Sequence, residues 1–244
     1  MSDAKLKIYK NTQRVVETLA EDFHQFMEKK VKSREKAYLA LSGGSTPQQL
    51  YQYLATNYSD KIIWENVHFF WVDERCVPPE DQESNFGVAK QLFFDHIDIP
   101  ANNVHRMIGE VDPEQEATRY AEEIRKYVPL KYDLPQFDWV WLGMGDDGHT
   151  ASIFPDQLAL MHHKEICATA IHPVSKQKRI TLTGKAINHA HRVSFLVTGA
   201  GKAGMVNTVL NDSGSNHRFP AHHIKPSEGL LEWYLDEAAA TEIR

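Results

Sequence analysis

Short apolar runs of strand length alternate along the chain with stretches whose apolar residues recur at a helical period. Between Thr12 and Val31, the positions Val15, Val16, Leu19, Ala20, Phe23, Phe26 and Met27 fall on one face of a predicted helix. Lys5–Tyr9 reads as a short amphipathic strand, and Ala37–Leu41, Val67–Val72, Phe137–Leu142 and Val193–Val197 as buried strands. Ile166–Ile171 and Arg179–Leu182 fit further strands, while Leu230–Leu235 fits a strand or a short helix equally well. Thr46 before Pro47 marks a helix start. Ser84 or Asn85 can cap a helix through Phe94, Asp112-Pro113 opens another to about Tyr127, and a last helix follows Lys202 to about Leu210. The pattern holds no internal repeat, low-complexity tract or long linker. It predicts one α/β domain over residues 1–244, with a mostly parallel sheet flanked by helices on both faces.

Composition narrows the picture without changing it. The 244 residues are 42% hydrophobic and carry a net charge of −6, which disfavours broad electrostatic binding to nucleic acid or an anionic membrane. An anionic ligand must then be held by local cations. No apolar run approaches the roughly 20 residues of a membrane span. The opening Met-Ser-Asp-Ala-Lys lacks a cationic-then-apolar signal, and Cys76 and Cys167 form no disulfide framework. These features predict a soluble cytoplasmic protein with no nucleic-acid or membrane partner; a monomer or small homo-oligomer is expected, and the sequence does not choose between them.

Ligands of open α/β sheets bind beyond the carboxyl ends of the strands. Four segments with chemical promise lie there: Ser42–Pro47, Asp73–Arg75, Gly143–His149 and Thr198–Lys202. Ser42-Gly43-Gly44-Ser45-Thr46 joins a buried strand to a helix start, where glycines admit a ligand and free N–H groups attract an anion. The spacing is not that of a nucleotide P-loop. Thr198-Gly199-Ala200-Gly201-Lys202 is a second small-residue loop, with Lys202 as a candidate phosphate contact. Gly143-Met144-Gly145-Asp146-Asp147-Gly148-His149 presents one histidine behind two carboxylates. Histidine is the natural proton acceptor near neutral pH, and a neighbouring carboxylate can fix its tautomer. As a dinucleotide fingerprint this run sits too late in the chain, and its carboxylates would repel a pyrophosphate. His162-His163 and His222-His223 lack the framework of a metal site, and Cys76 lacks the surroundings of a catalytic thiol.

Together these blocks resemble the 6-phosphogluconolactonase family. The resemblance rests on Ser42-Gly43-Gly44-Ser45-Thr46-Pro47, Asp73-Glu74-Arg75-x-Val77 and Ser84-Asn85. It continues through Gly143-Met144-Gly145-x-Asp147-Gly148-His149-Thr150-Ala151-Ser152-x-Phe154-Pro155 and Arg179-Ile180-Thr181-Leu182-Thr183. It closes with Thr198-Gly199-x-x-Lys202-Ala203 and Pro220-Ala221. It implies a modified Rossmann-like fold, shared with glucosamine-6-phosphate deaminase. It also implies cofactor-free hydrolysis of 6-phospho-D-glucono-1,5-lactone to 6-phosphogluconate in the oxidative pentose phosphate pathway.

The resemblance places His149 as general base, with Asp147 orienting it and Asp73 orienting either Arg75 or the histidine. Ser42, Gly43, Gly44, Ser45, Thr46, Arg75, Asn85, Arg179 and Lys202 become the substrate and phosphate contacts. Two other readings remain: a deaminase-like isomerase and a non-catalytic sugar-phosphate sensor. The deaminase pattern continues Asp-Gly-His-Ile-Ala-Phe-Asn-Glu-Pro, whereas Thr150-Ala151-Ser152-Ile153-Phe154-Pro155 follows His149 here. A sensor would dispense with the base.

Overall fold

A computed structural model describes residues 4–243 apart from 212, 213 and 215, so the first residues of the N-terminal reading fall outside it. In chain order the strands are β1 (Lys5–Tyr9), β2 (Ala37–Leu41), β3 (Val67–Trp71), β4 (Asp73–Arg75), β5 (Leu130–Lys131) and β6 (Leu134–Pro135). They continue with β7 (Trp139–Leu142), β8 (Cys167–Ile171), β9 (Lys178–Leu182), β10 (Arg192–Val197) and β11 (Leu230–Asp236). The helices are α1 (Thr12–Lys32), α2 (Ser45–Asn57), α3 (Asn85–Leu92), α4 (Pro113–Tyr127), α5 (Gly184–Ile187) and α6 (Ala203–Leu210). Local chemistry sets their starts: the Asn11 side chain accepts from the Arg14 N–H, and Asp112 caps α4 with Pro113 in its first turn. No helix among the described residues is long and apolar enough to cross a membrane.

Six strands form one parallel sheet in the order β1-β11-β10-β7-β2-β3. The inner strand β7 and the edge strand β3 are both buried throughout, which explains why they read as continuous apolar runs. Phe23 of α1 packs edge-on against Trp141 at 5.3 Å and also meets Trp64, Phe69 and Trp139, tying α1 to the sheet. The undecided segment near residue 230 is a strand. β11 lies between β1 and β10, and its backbone pairs with both.

The two further strands near residues 166–182 do not extend the parallel sheet. With β4 they form a separate antiparallel sheet, β4-β9-β8. The connection from β8 to β9 spans only 172–177, too short for a parallel crossover, which needs about a dozen residues or more. Asp73–Arg75, expected as a strand-ending loop, is β4 itself. Val72 is where the chain changes sheets: its N–H donates to the Leu41 carbonyl at 2.8 Å, and its carbonyl accepts from Leu182 at 2.7 Å. Side-chain alternation alone does not distinguish these pairings.

Glu74 holds this junction together. Its carboxylate, 1% exposed, accepts from the backbone N–H groups of Arg75, Asn85 and Phe86 and from Ser84 Oγ. It therefore caps α3 from outside the helix. Burial pushes the Glu74 carboxyl above its usual range, against the pull of its backbone donors. Protonation therefore favours the fold, and this contribution is lost as pH rises through the raised value. Glu74→Ala orphans the donors and is expected to cost about 2–4 kcal/mol in denaturant unfolding. Glu74→Gln keeps an acceptor without a buried charge and costs less. An alanine variant within about 0.5 kcal/mol of the parent would show that solvent satisfies these donors.

Candidate active site

The carboxyl ends of β2, β7 and β10 meet the antiparallel sheet around an open cavity of about 280 Å³. Ser42, Gly43, Gly44, Ser45, Thr46, Asp73, Arg75, Asn85, His149, Arg179 and Lys202 all line it. Asp147 stands behind the lining, in contact with His149.

One wall is cationic. Arg75 and Arg179 face each other across the β4–β9 ladder, and neither forms an ion pair among the described residues. Arg75 donates to the Glu83 carbonyl, but its Nε and that of Arg179 are buried without partners, as is Ser42 Oγ. Burial and the neighbouring Arg75 hold the Arg179 guanidinium below its usual pKa. The remaining unpartnered buried side-chain atoms among the described residues are tryptophan N–H groups, so the polar vacancies concentrate here.

The Ser42–Pro47 loop adds the start of α2. Gly44 occupies the cap position at φ +108°, which favours glycine, and no side chain caps the helix. The first N–H groups of α2 therefore face the cavity as anion donors. Gly43 has a separate reason to be glycine: a Cβ there would lie 1.9 Å from Asn85 Oδ1. Asn85 in turn donates through Nδ2 to the Asp73 carbonyl at 3.0 Å, locking α3 against β4. Thr46 Oγ1 meets Thr198 Oγ1 at 2.9 Å, joining the two small-residue loops.

The opposite wall is the glycine-rich loop after β7. The Gly145 N–H donates to the His149 carbonyl, and the Gly148 N–H donates to the Gly145 carbonyl, coiling the loop back on itself. His149 Nδ1 lies 2.6 Å from Asp147 Oδ1, which also accepts the His149 backbone N–H. Burial raises the Asp147 pKa, but the bonds and charge of His149 outweigh it and leave it below the ordinary carboxylate range. An ionised Asp147 only accepts, so the proton sits on His149 Nδ1 and the Nε2 lone pair is free. Gly145 makes room for this arrangement, since a Cβ there would fall 2.2 Å from ring atoms of His149.

Some assignments change in detail. Asp73 contacts neither Arg75 nor the imidazole by hydrogen bond; its Oδ2 accepts from Ser152 Oγ at 2.6 Å. It braces the histidine loop indirectly, because the Ser152 N–H also donates to Thr181 Oγ1 at 3.2 Å. Lys202 lines the cavity, but its ammonium donates to the Met144 carbonyl at 2.8 Å and to Asp146 at 2.5 Å. Its position at the head of α6 was legible; its loop partners were not. Phe154, whose ring centroid lies 4.9 Å from that of His149, and His172 also line the cavity. Phe154 lies within the recognised motif, whereas no local pattern marked His172. Among the described residues no group of His, Cys, Asp and Glu could hold a metal ion.

A family model described as glucosamine-6-phosphate isomerases/6-phosphogluconolactonase matches residues 10–233. A 6-phosphogluconolactonase of Haemophilus influenzae is 42% identical over 232 residues, covering 95% of this chain and 96% of its own. The solved devB protein superposes with a TM-score of 0.94 at 41% identity, covering 99% of this chain and 100% of its own. A 6-phosphogluconolactonase from Thermotoga maritima gives 0.83 at 29% identity, covering 96% of this chain and 100% of its own. With its fold and its complete run of motifs, the chain belongs to the glucosamine-6-phosphate isomerase/6-phosphogluconolactonase family.

Proposed function

We infer that this chain hydrolyses 6-phospho-D-glucono-1,5-lactone to 6-phosphogluconate, with His149 as general base. The observation that carries the reading is one cavity with an unpaired arginine wall and, opposite it, an imidazole whose Nε2 is free. Arg75, Arg179, Ser42 and the N–H groups at the start of α2 hold the phosphate. The lactone carbonyl carbon then lies against His149. Nε2 takes a proton from water as the water oxygen attacks C1, and the carbonyl oxygen becomes an oxyanion. Backbone N–H groups of the glycine-rich loop stabilise that charge. As the tetrahedral intermediate collapses, the C1–ring oxygen bond breaks and the imidazolium returns its proton to that oxygen.

Hydrolysis needs only this one acid–base group. The run after His149, Thr150-Ala151-Ser152-Ile153-Phe154-Pro155, lacks the Asn-Glu of the deaminase pattern, so it does not supply the extra acid–base groups of an isomerising deaminase. Cys76 and Cys167 are free thiols, consistent with a reducing, cytoplasmic setting. The deciding assay generates the lactone with glucose-6-phosphate dehydrogenase and follows 6-phosphogluconate above the spontaneous rate. No acceleration at micromolar protein would favour the sensor.

His149→Asn should lower kcat by about 10²–10⁴-fold while 6-phosphogluconate still binds. The acid limb of the kcat/KM profile should also vanish from the residual activity. Asp147 does not set that limb, because its depressed pKa keeps it ionised until pH falls through the lowered value. An asparagine variant within about threefold of wild type would make the histidine merely structural.

Arg75→Ala removes phosphate contacts worth about 1.5–3 kcal/mol each. KM should rise roughly tenfold to a hundredfold with kcat changed less. A collapse of kcat at constant KM would put this arginine at the reacting carbon instead.

Gly145→Ala tests the backbone. The added methyl displaces the imidazole from Asp147, and misplacement of about 1 Å is enough to cost on the order of 10²-fold in kcat. Steady-state kinetics on the folded variant reads this directly, and a kcat within a factor of about three would show that the loop relaxes around the methyl.

A further inference from the structure

The hairpin between β8 and β9 sets a second histidine beside the cavity, and the mechanism above leaves it unused. His172 Nδ1 accepts the Ser175 N–H at 3.1 Å and the Val174 N–H at 3.3 Å, with Ser175 Oγ also at 3.1 Å. A ring nitrogen that accepts backbone N–H groups carries a lone pair, so the proton of the neutral ring sits on Nε2. Burial and the nearby guanidinium groups of Arg179 and Arg75 hold the ring below the usual histidine pKa, against an opposing pull from Asp147. The ring is therefore a neutral donor. Nε2 has no partner among the described residues, and His172 lines the same cavity as His149.

Its placement specifies which part of a ligand it meets. The Phe154 and His172 rings meet at 5.2 Å and 83°, and Phe154 also packs 4.9 Å from the His149 ring. Phe154 is thus an apolar neighbour shared by the proposed base and a neutral N–H. The phosphate already has its charged donors in Arg75 and Arg179, where a neutral imidazole adds little. A polyhydroxylated ring, however, needs uncharged donors at fixed positions once water is displaced.

We propose that His172 is a substrate-binding residue whose Nε2–H donates to a ring hydroxyl of the bound lactone, holding the sugar over Phe154 with C1 turned toward His149. This rests on the lactonase reading, and its test separates the two. His172→Asn places an amide oxygen near Nδ1, where it still accepts the Ser175 N–H, but it has no donor at the Nε2 position. His172→Gln does the reverse.

The asparagine variant should keep its melting temperature and raise KM for the phospholactone about tenfold, with kcat within about threefold of wild type. By calorimetry it should bind 6-phosphogluconate correspondingly more weakly, yet bind inorganic phosphate as the parent does. The glutamine variant should retain KM within about threefold. Unchanged KM and 6-phosphogluconate affinity in His172→Asn would reduce the histidine to a turn residue and overturn the proposal. So would equal weakening of phosphate and 6-phosphogluconate, which would move the contact to the phosphate. If the wild type fails to accelerate lactone hydrolysis, the lactonase reading falls, while the two calorimetric affinities still decide the role of His172.

Discussion

Two guanidinium groups facing each other without a carboxylate between them are the constraint around which this cavity is organised. Like charges directly opposite on an antiparallel ladder repel, and part-burial removes the water that would screen them. Arg75 and Arg179 stay together because the backbone gives them no alternative: they are register partners of β4 and β9. That register is fixed on one side by the β8–β9 hairpin and on the other by Val72, whose backbone is bonded to both sheets. Nearby carboxylates are engaged elsewhere, Asp73 by Ser152, Glu83 by Gln177 and Glu74 by the start of α3. A chain folding for stability alone would neutralise such a pair. On the proposed reading the neutralising charge is left to the substrate phosphate, whose binding would then also stabilise the folded state.

The His149 imidazole, the proposed base, is held with comparable stiffness. Thr150 Oγ1 donates to the Gly143 carbonyl, Ser152 reaches Asp73, Lys202 reaches Met144 and Asp146, and the Ala221 N–H donates to the Gly148 carbonyl. These ties run to the end of β7, to β4, to the head of α6 and to the segment after it. His149 is thereby positioned relative to both sheets, and so relative to the arginine wall. Gly148 is the one loop residue at positive φ that also lacks space, since a Cβ would sit 2.7 Å from the Phe219 ring. Such preorganisation suits a reaction with a single proton-transfer group, because the rate then depends on where that group stands.

Most of the parallel sheet was legible because buried strands and amphipathic helices have different periods, and Ala37–Leu41, Phe137–Leu142 and Val193–Val197 show theirs plainly. The antiparallel sheet was visible as strands but not as a separate sheet. Direction is set by connection length and pairing partners, and Asp73–Arg75 is too short and too polar to announce itself as a strand. The cavity residues were legible where they sit in glycine-punctuated loops at strand ends, as Ser42–Thr46 and Gly143–His149 do. Glu74 carried no signal of its fourfold role, because its donors come from a helix start beyond the next turn. His172 was silent for a related reason: its chemistry arises from a hairpin turn folding back on Nδ1.

The adjacent aspartates of the histidine loop show how far environment separates residues that a sequence presents as equals. The Asp146 side chain is 87% exposed and reaches outward to Lys202, where it closes the loop against α6. Asp147, 44% exposed, turns toward the imidazole, where partial burial alone would raise its pKa and the imidazole more than reverses that. Its carboxylate therefore remains an acceptor through the range in which a histidine titrates, and Nδ1 keeps its proton whatever happens at Nε2. Exchanging the two roles would leave Lys202 without its partner and the imidazole free to flip, so one residue of register in this loop separates a positioned imidazole from an ordinary loop histidine.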